Sequence, residues 1–197
     1  MARDGDQEPR DRDLFGGSIT MRVPSRFEDV SCVREIPDNQ EVLVDAEVDQ
    51  SFIVEILEHV HSVADDRSAA FFFSDLAEAS ASSLCEIESK GTFQMPSIPG
   101  IYASFAYGRM QVAKHRDAQD FANLLRVLLV NVRLPQKETD MLITCNIPQI
   151  VNPQSSTNAG KQCPITSVVD DKDLPPLVAM FEDAARSMKI RDWNLFG

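Results

Sequence analysis

The stretch ANLLRVLLVNVRL (residues 122–134), the turn PQKE (residues 135–138) and TDMLITCNI (residues 139–147) decide the fold. In the first run Leu124, Leu128, Val130, Val132 and Leu134 share one parity; in the second Met141, Ile143, Cys145 and Ile147 do. Successive strand side chains alternate between faces, so each set lines one side of a sheet. Two such runs joined by a short turn predict an antiparallel hairpin. Upstream, IYASFAYGRMQVAK (residues 101–114) reads as another strand, with Gly108 marking a bulge or a close contact midway. Residues 84–92 form a weaker strand candidate.

Nearer the N-terminus, LFGGSITMRV (residues 14–23) begins with a turn at Gly16 and Gly17. It continues as a half-buried strand through Ile19, Met21 and Val23, stopped by Pro24. Residues 25–40, with Pro37, Asp38 and Asn39, read as a shaped loop, and residues 41–46 as a second short strand. Residues 50–61 predict a helix: Ile53, Ile56, Leu57 and Val60 recur at helical spacing, and Asp49 or Ser51 can cap its start. Glu55, Glu58 and His59 fall on its opposite face. A second helix is expected over residues 66–79, where the triplet Phe71, Phe72, Phe73 leaves a strand as the alternative. Residues 149–171 are a polar surface loop. A last helix spans residues 174–188, with Asp173 as its cap, Pro175 and Pro176 in the first turn, and a buried stripe of Leu177, Phe181, Ala184 and Met188. The terminal segment, which carries Trp193, packs back on the body. Amphipathic helices and alternating strands together predict an α/β fold: a sheet of about six antiparallel strands flanked by helices on both faces. Residues 1–13 lack Leu, Ile, Val and aromatic residues and read as a disordered, mixed-charge tail, leaving residues 14–197 as a single domain.

Composition narrows the function. The chain has 197 residues, 31 Asp plus Glu against 19 Lys plus Arg, and a formal net charge of −12. Such a surface repels phosphate backbones and anionic lipid, so neither nucleic acid nor membrane is expected as a partner. No apolar run approaches a membrane span, and no signal peptide is read. The four cysteines, Cys32, Cys85, Cys145 and Cys163, match no zinc pattern, and Cys145 reads as a buried thiol. His59 and His61 point apart on the expected helix, so they predict no metal site, and His115 adds little. The pair Gly160, Lys161 lacks the rest of a phosphate-binding loop. No nucleophile elbow is present. No cofactor is expected, and the chain reads as a monomeric binding module rather than an enzyme. Glu55 and Glu58, three apart on the expected helix, are neighbours on one face and could grip a basic surface. A solvated helix face is the plainer reading of the spacing alone. A hydrolase using the two carboxylates is a weaker alternative, because nothing is arranged to split their pKa values. A scaffold for other protein clients is a further alternative.

Four strings carry a resemblance: LFGGSIT (residues 14–20), DVSCVREIPDNQEV (residues 29–42), DQSFIVEILE (residues 49–58) and RLPQKETDMLITCNIP (residues 133–148). With QVAK (residues 111–114) and the terminal LFG (residues 195–197), they resemble the Ran guanine nucleotide release factor family. The similarity spans residues 14–197; it is strong early and in the hairpin, and faint over residues 62–108 and 149–171. The resemblance implies an α/β/α sandwich around a six-stranded antiparallel sheet, as in the PsbP photosystem proteins. It implies binding to the small GTPase Ran, promotion of nucleotide release, a role in nuclear import, and presence in nucleus and cytoplasm. It places the family's Ran-binding acidic pair, carried on the first main helix, at Glu55 and Glu58. Asp38 and Glu41 belong to the same signature block, at the site's edge.

Overall fold

The computed structural model describes residues 8–113, 119–159 and 169–197. His115, the Gly160, Lys161 pair and Cys163 lie outside these residues. The hairpin is formed by β8 (Asn123–Leu134) and β9 (Thr139–Ile150), paired antiparallel with Leu134 opposite Thr139. It occupies the middle of a seven-stranded sheet. On one side β9 pairs with β5 (Gln50–Glu58), then β4 (Gln40–Asp45) and the two-residue β3 (Glu28–Asp29). On the other, β8 pairs with β7 (Tyr102–Val112), then β6 (Leu84–Phe93). A separate three-stranded sheet joins β1 (Pro9–Leu14), β2 (Ile19–Pro24) and β10 (Lys189–Ile190). Two α-helices are present among the described residues, α1 (Ser68–Ala79) and α2 (Leu174–Ser187).

Alternate residues of the central strands divide between two buried clusters. Leu128, Val130, Val132, Met141, Ile143 and Cys145 pack with Ile19, Met21 and Val23 of β2 and with Phe181, Ala184 and Ala185 of α2. Val127, Leu129, Leu142 and Ala106 pack with Ala69, Phe72, Phe73 and Ala77 of α1. Phe71, between these helix positions, is 39% exposed. Gly108 is required by a close approach: a Cβ there would lie 1.9 Å from the Glu86 carbonyl oxygen, beside the register shift between Ile87 and Ser89.

Three expectations are corrected. The largest concerns residues 50–61, which form β5 rather than a helix. Phe52 and Val54, which the helical reading ignored, are 0% and 2% exposed. β5, interior between β4 and β9, carries apolar residues on both faces, buried on one and half-buried on the other, so they run on without alternation and fit a helical spacing by accident. Asp49, read as a helix cap, instead ends the β4–β5 turn with φ +57°, a left-handed conformation that short polar side chains tolerate. The sheet also has seven strands rather than about six, with two α-helices rather than three among the described residues. Finally, residues 9–13 are not a free tail; with Leu14 they form β1, in register with β2 from Pro9 opposite Pro24 to Leu14 opposite Ile19. Its arginines are anchored: Arg10 binds Glu28 at 2.6 Å, and Arg12 donates to the Phe27 carbonyl. A charged edge strand has the composition of a tail while discouraging further pairing.

At the C-terminal helix, Asp173 occupies the N-cap position and Pro175 and Pro176 stand in the first turn, although the Asp173 side chain makes no capping hydrogen bond. No helix among the described residues is long and apolar enough to cross a membrane.

Candidate functional site: an acidic edge on β4 and β5

Glu55 and Glu58 do not share a face. Three steps along a strand reverse the side-chain direction and separate the residues by about 10 Å. Glu55 is opposite Gln40 of β4 and Leu142 of β9, on the side that α1 covers. Its carboxylate accepts hydrogen bonds from Gln40 Nε2 at 2.7 Å and from Asn39 Nδ2 at 3.5 Å. Asn39 also donates to the Ile56 carbonyl at 3.1 Å and accepts from the Ile56 N–H at 2.9 Å, fixing the loop to β5. Glu58 ends the strand, exposed, opposite Thr139. By alternation it shares a face with Val54 and so with Glu41, Val54's partner on β4. Carboxylates facing opposite sides cannot flank one scissile bond, which removes the geometry a two-carboxylate hydrolase needs.

Glu41 and Asp38 line a cleft of about 360 Å³ together with Asp13 and Asp29. No basic side chain lines it. Glu41 accepts from the Phe15 N–H across 26 residues of sequence. This contact joins two of the quoted strings, LFGGSIT and PDNQEV. It is made possible by a left-handed run, Phe15 at φ +50°, Gly16 at +63° and Gly17 at +91°. Burial raises the Glu41 carboxyl above the ordinary glutamate range; the Phe15 N–H lowers it, and nearby Asp29 raises it further. Among the described residues none of Asp38, Glu41, Glu55 and Glu58 forms an ion pair with Lys or Arg. Glu55 is held by side-chain amides and Glu41 by a backbone N–H rather than by cations.

Behind Glu58 lies a buried network that sequence reasoning missed. Arg133 Nε bonds Asp140 Oδ1 at 3.0 Å, with the two side chains 2% and 0% exposed. Arg133 also donates to the Val60 and Val63 carbonyls at 2.8 and 2.6 Å and to Asp65 at 2.9 Å. Asp140 accepts the Val60 N–H at 2.9 Å. Together they staple the connection between β5 and α1 onto the hairpin. The signal was available: with Leu134 opposite Thr139, Arg133 must face Asp140. His59 and His61 do not point apart. Their rings pack edge-on at 4.8 Å, His59 against Asp140 and His61 against Glu138. No group of three or more metal-ligating side chains is present among the described residues.

A mixed α/β fold built on a large antiparallel sheet, with acid on β4 and β5 that has no Lys or Arg partner among the described residues, has the character of a protein-binding module rather than a catalytic one. The sequence model of the Ran-interacting Mog1 protein family matches residues 12–148, and the chain belongs to that family. It is 33% identical over 193 residues to the Ran guanine nucleotide release factor of Danio rerio, covering 94% of this chain and 99% of that protein. It is 29% identical to the nuclear import protein MOG1 of Saccharomyces cerevisiae, over 81% of this chain and 75% of the relative. The crystal structure of the Saccharomyces cerevisiae Ran-binding protein Mog1p superposes with TM-score 0.68 at 25% identity, covering 97% of this chain and 100% of that one. The cyanobacterial PsbP of Synechocystis shares the fold, with TM-score 0.55 at 13% identity over 96% of each chain.

Proposed function

We propose that this chain binds the small GTPase Ran and promotes guanine nucleotide release from it, in support of nuclear protein import, as a monomer in nucleus and cytoplasm. Glu55 and Glu58 are the principal contacts and Asp38 and Glu41 the edge of the site. The scaffold is an α/β/α layering, supported by the division of the core between an α1 cluster and an α2 cluster. The partner is suggested by the relatives, which are named as Ran guanine nucleotide release factors and nuclear import proteins, and by a family match whose span contains all four acidic residues.

The observation that carries the reading is the absence of Lys or Arg partners for these four carboxylates among the described residues. A carboxylate already held by neutral amides keeps its charge for an incoming cation while its geometry is fixed. Glu55, clamped by Gln40 and Asn39, is such a group. Nucleotide release follows if the acidic edge binds nucleotide-poor Ran more tightly than the loaded form. A ligand shifts an equilibrium only by its differential affinity for the two states. The test is capture by nucleotide-free, GDP-loaded and GTP-loaded Ran, with wild type and Glu55→Lys/Glu58→Lys. Preferential capture by nucleotide-free Ran, abolished by the folded double variant, is expected. Unchanged affinity in that variant would reject the assigned edge.

A further inference from the structure

We infer that the partner-binding surface continues from Glu58 across the β8–β9 turn to a pocket beside Trp193, which receives a large apolar side chain of the same Ran surface. The inference rests on the Ran reading. The pocket is about 440 Å³ and is walled by Ile101, Tyr102, Leu134, Pro135 and Trp193. The charged groups lining it are already engaged: Arg133 by Asp65 and Asp140, and Lys137 by the Gly197 main-chain oxygen at 2.8 Å. Gln136 and the engaged Asp65 form a polar rim, and the rest of the surface left open is mostly apolar, so it fits an apolar side chain better than a charged one.

Trp193 is 41% exposed, although its backbone is fixed. The Arg191 and Asp192 N–H groups both donate to the Ser18 carbonyl, at 2.8 and 3.1 Å. Asp192 Oδ1 accepts the Asn194 N–H at 2.9 Å, and the Trp193 ring packs against Phe196 with centroids 6.0 Å apart. A half-open tryptophan on an anchored backbone loses little conformational entropy on binding, which is why tryptophans dominate interface energetics.

Its position commits it to the partner of Glu58. Glu58 faces Thr139, Thr139 faces Leu134, and the neighbouring Arg133 faces Tyr102. Two strand spacings, roughly 10 Å, separate the acid from Leu134, and three, roughly 14 Å, from Tyr102. A standard interface covers about 800 Å² per partner, wide enough to include both. The turn between them carries Lys137 and Glu138, already engaged by the Gly197 main-chain oxygen and by His61, so the demand for a basic residue falls on Glu58 itself. The matching patch on the partner has cations on one side and an apolar anchor on the other.

The chain has one tryptophan, so 5-fluorotryptophan labelling gives a single ¹⁹F resonance from the full-length protein. Titrated with nucleotide-free Ran, that resonance is expected to shift as the complex forms. Trp193→Ala is expected to bind roughly tenfold more weakly, and Trp193→Phe to recover most of the loss. Complex formation by calorimetry with an unmoved resonance and unchanged Trp193→Ala affinity would overturn this extension alone. No complex in any nucleotide state would overturn the Ran reading beneath it. A concentration-dependent shift without Ran would assign the pocket to a second copy and also reject the proposal.

Discussion

Gln40 Nε2 donates a 2.7 Å hydrogen bond to Glu55 Oε1 across the β4–β5 pair, on the face opposite to Glu58. The two acids therefore meet a partner as separate contacts. Glu55→Lys and Glu58→Lys should each weaken Ran binding, and their free-energy costs should add to within about 0.5 kcal/mol, as for sites beyond about 7–10 Å. Calorimetric titration of the singles and the double variant measures the coupling. A coupling above about 1 kcal/mol would mean that one partner cation bridges both carboxylates.

Asp140→Ala should be among the most destabilising single changes in the protein. It leaves Arg133, 2% exposed, with its Nε unpaired, and it removes the acceptor of the Val60 N–H. Breaking a buried pair by removing one partner costs about 3–5 kcal/mol. Urea unfolding followed by far-UV circular dichroism checks this; a loss below about 1 kcal/mol would show that water replaces the carboxylate at no cost.

Gly108→Ala tests the close approach of β7 to its paired neighbour β6. The added methyl would sit 1.9 Å from the Glu86 carbonyl oxygen and 2.9 Å from the Ile87 Cα, both backbone atoms that cannot swing aside. The strands must part, with a cost of about 1–3 kcal/mol as for overpacking elsewhere. The unfolding midpoint should fall while Ran affinity of the folded fraction is unchanged, because β6 is the sheet edge remote from β4 and β5.

What could be read beforehand depended on how many neighbours a strand has and on which faces are dry. The hairpin strands β8 and β9 announced themselves through Leu128, Val130, Met141 and Ile143, whose parity matches the cluster they enter. β5 did not, because Phe52 and Val54 are buried on one side while Leu57 packs on the other and Ile53 is a half-buried apolar residue between them, so the alternation of residue types vanished. β1 was hidden for the opposite reason: a solvent-facing edge strand made of Arg and Asp needs its partner β2 to define it. Glu55 and Glu58 were first paired by a helical spacing that the strand removes, and the resemblance to a family singled out the same two residues and alone added Asp38 and Glu41. Both routes placed the pair on a helix, and the strand corrects both. The link between Glu41 and Phe15, which closes the acidic cleft, depends on a left-handed turn and lay beyond any pattern in the chain.

Glu41 gives the edge a pH signature of defined sign. Burial, more than the neighbouring Asp29, raises its carboxyl above the ordinary glutamate value of 4.5. The folded protein thus holds this proton more tightly than the unfolded chain does. The resulting stabilisation is fully present below the unfolded value and is lost as pH rises through the folded one. Glu41→Gln keeps an oxygen that can accept the Phe15 N–H but cannot ionise. The variant should therefore unfold at higher urea concentration than wild type at pH 7, and the difference should shrink as pH falls towards 4. A basic partner reverses the balance: a cation in the cleft favours the ionised carboxylate, so Ran binding by wild type should release a proton near the acid end of this range. Proton release is read from the buffer dependence of the calorimetric enthalpy, followed from pH 7 down to the ordinary glutamate value of 4.5. Glu41→Gln should reduce it, and an identical buffer dependence in the two proteins would remove Glu41 from the contact surface.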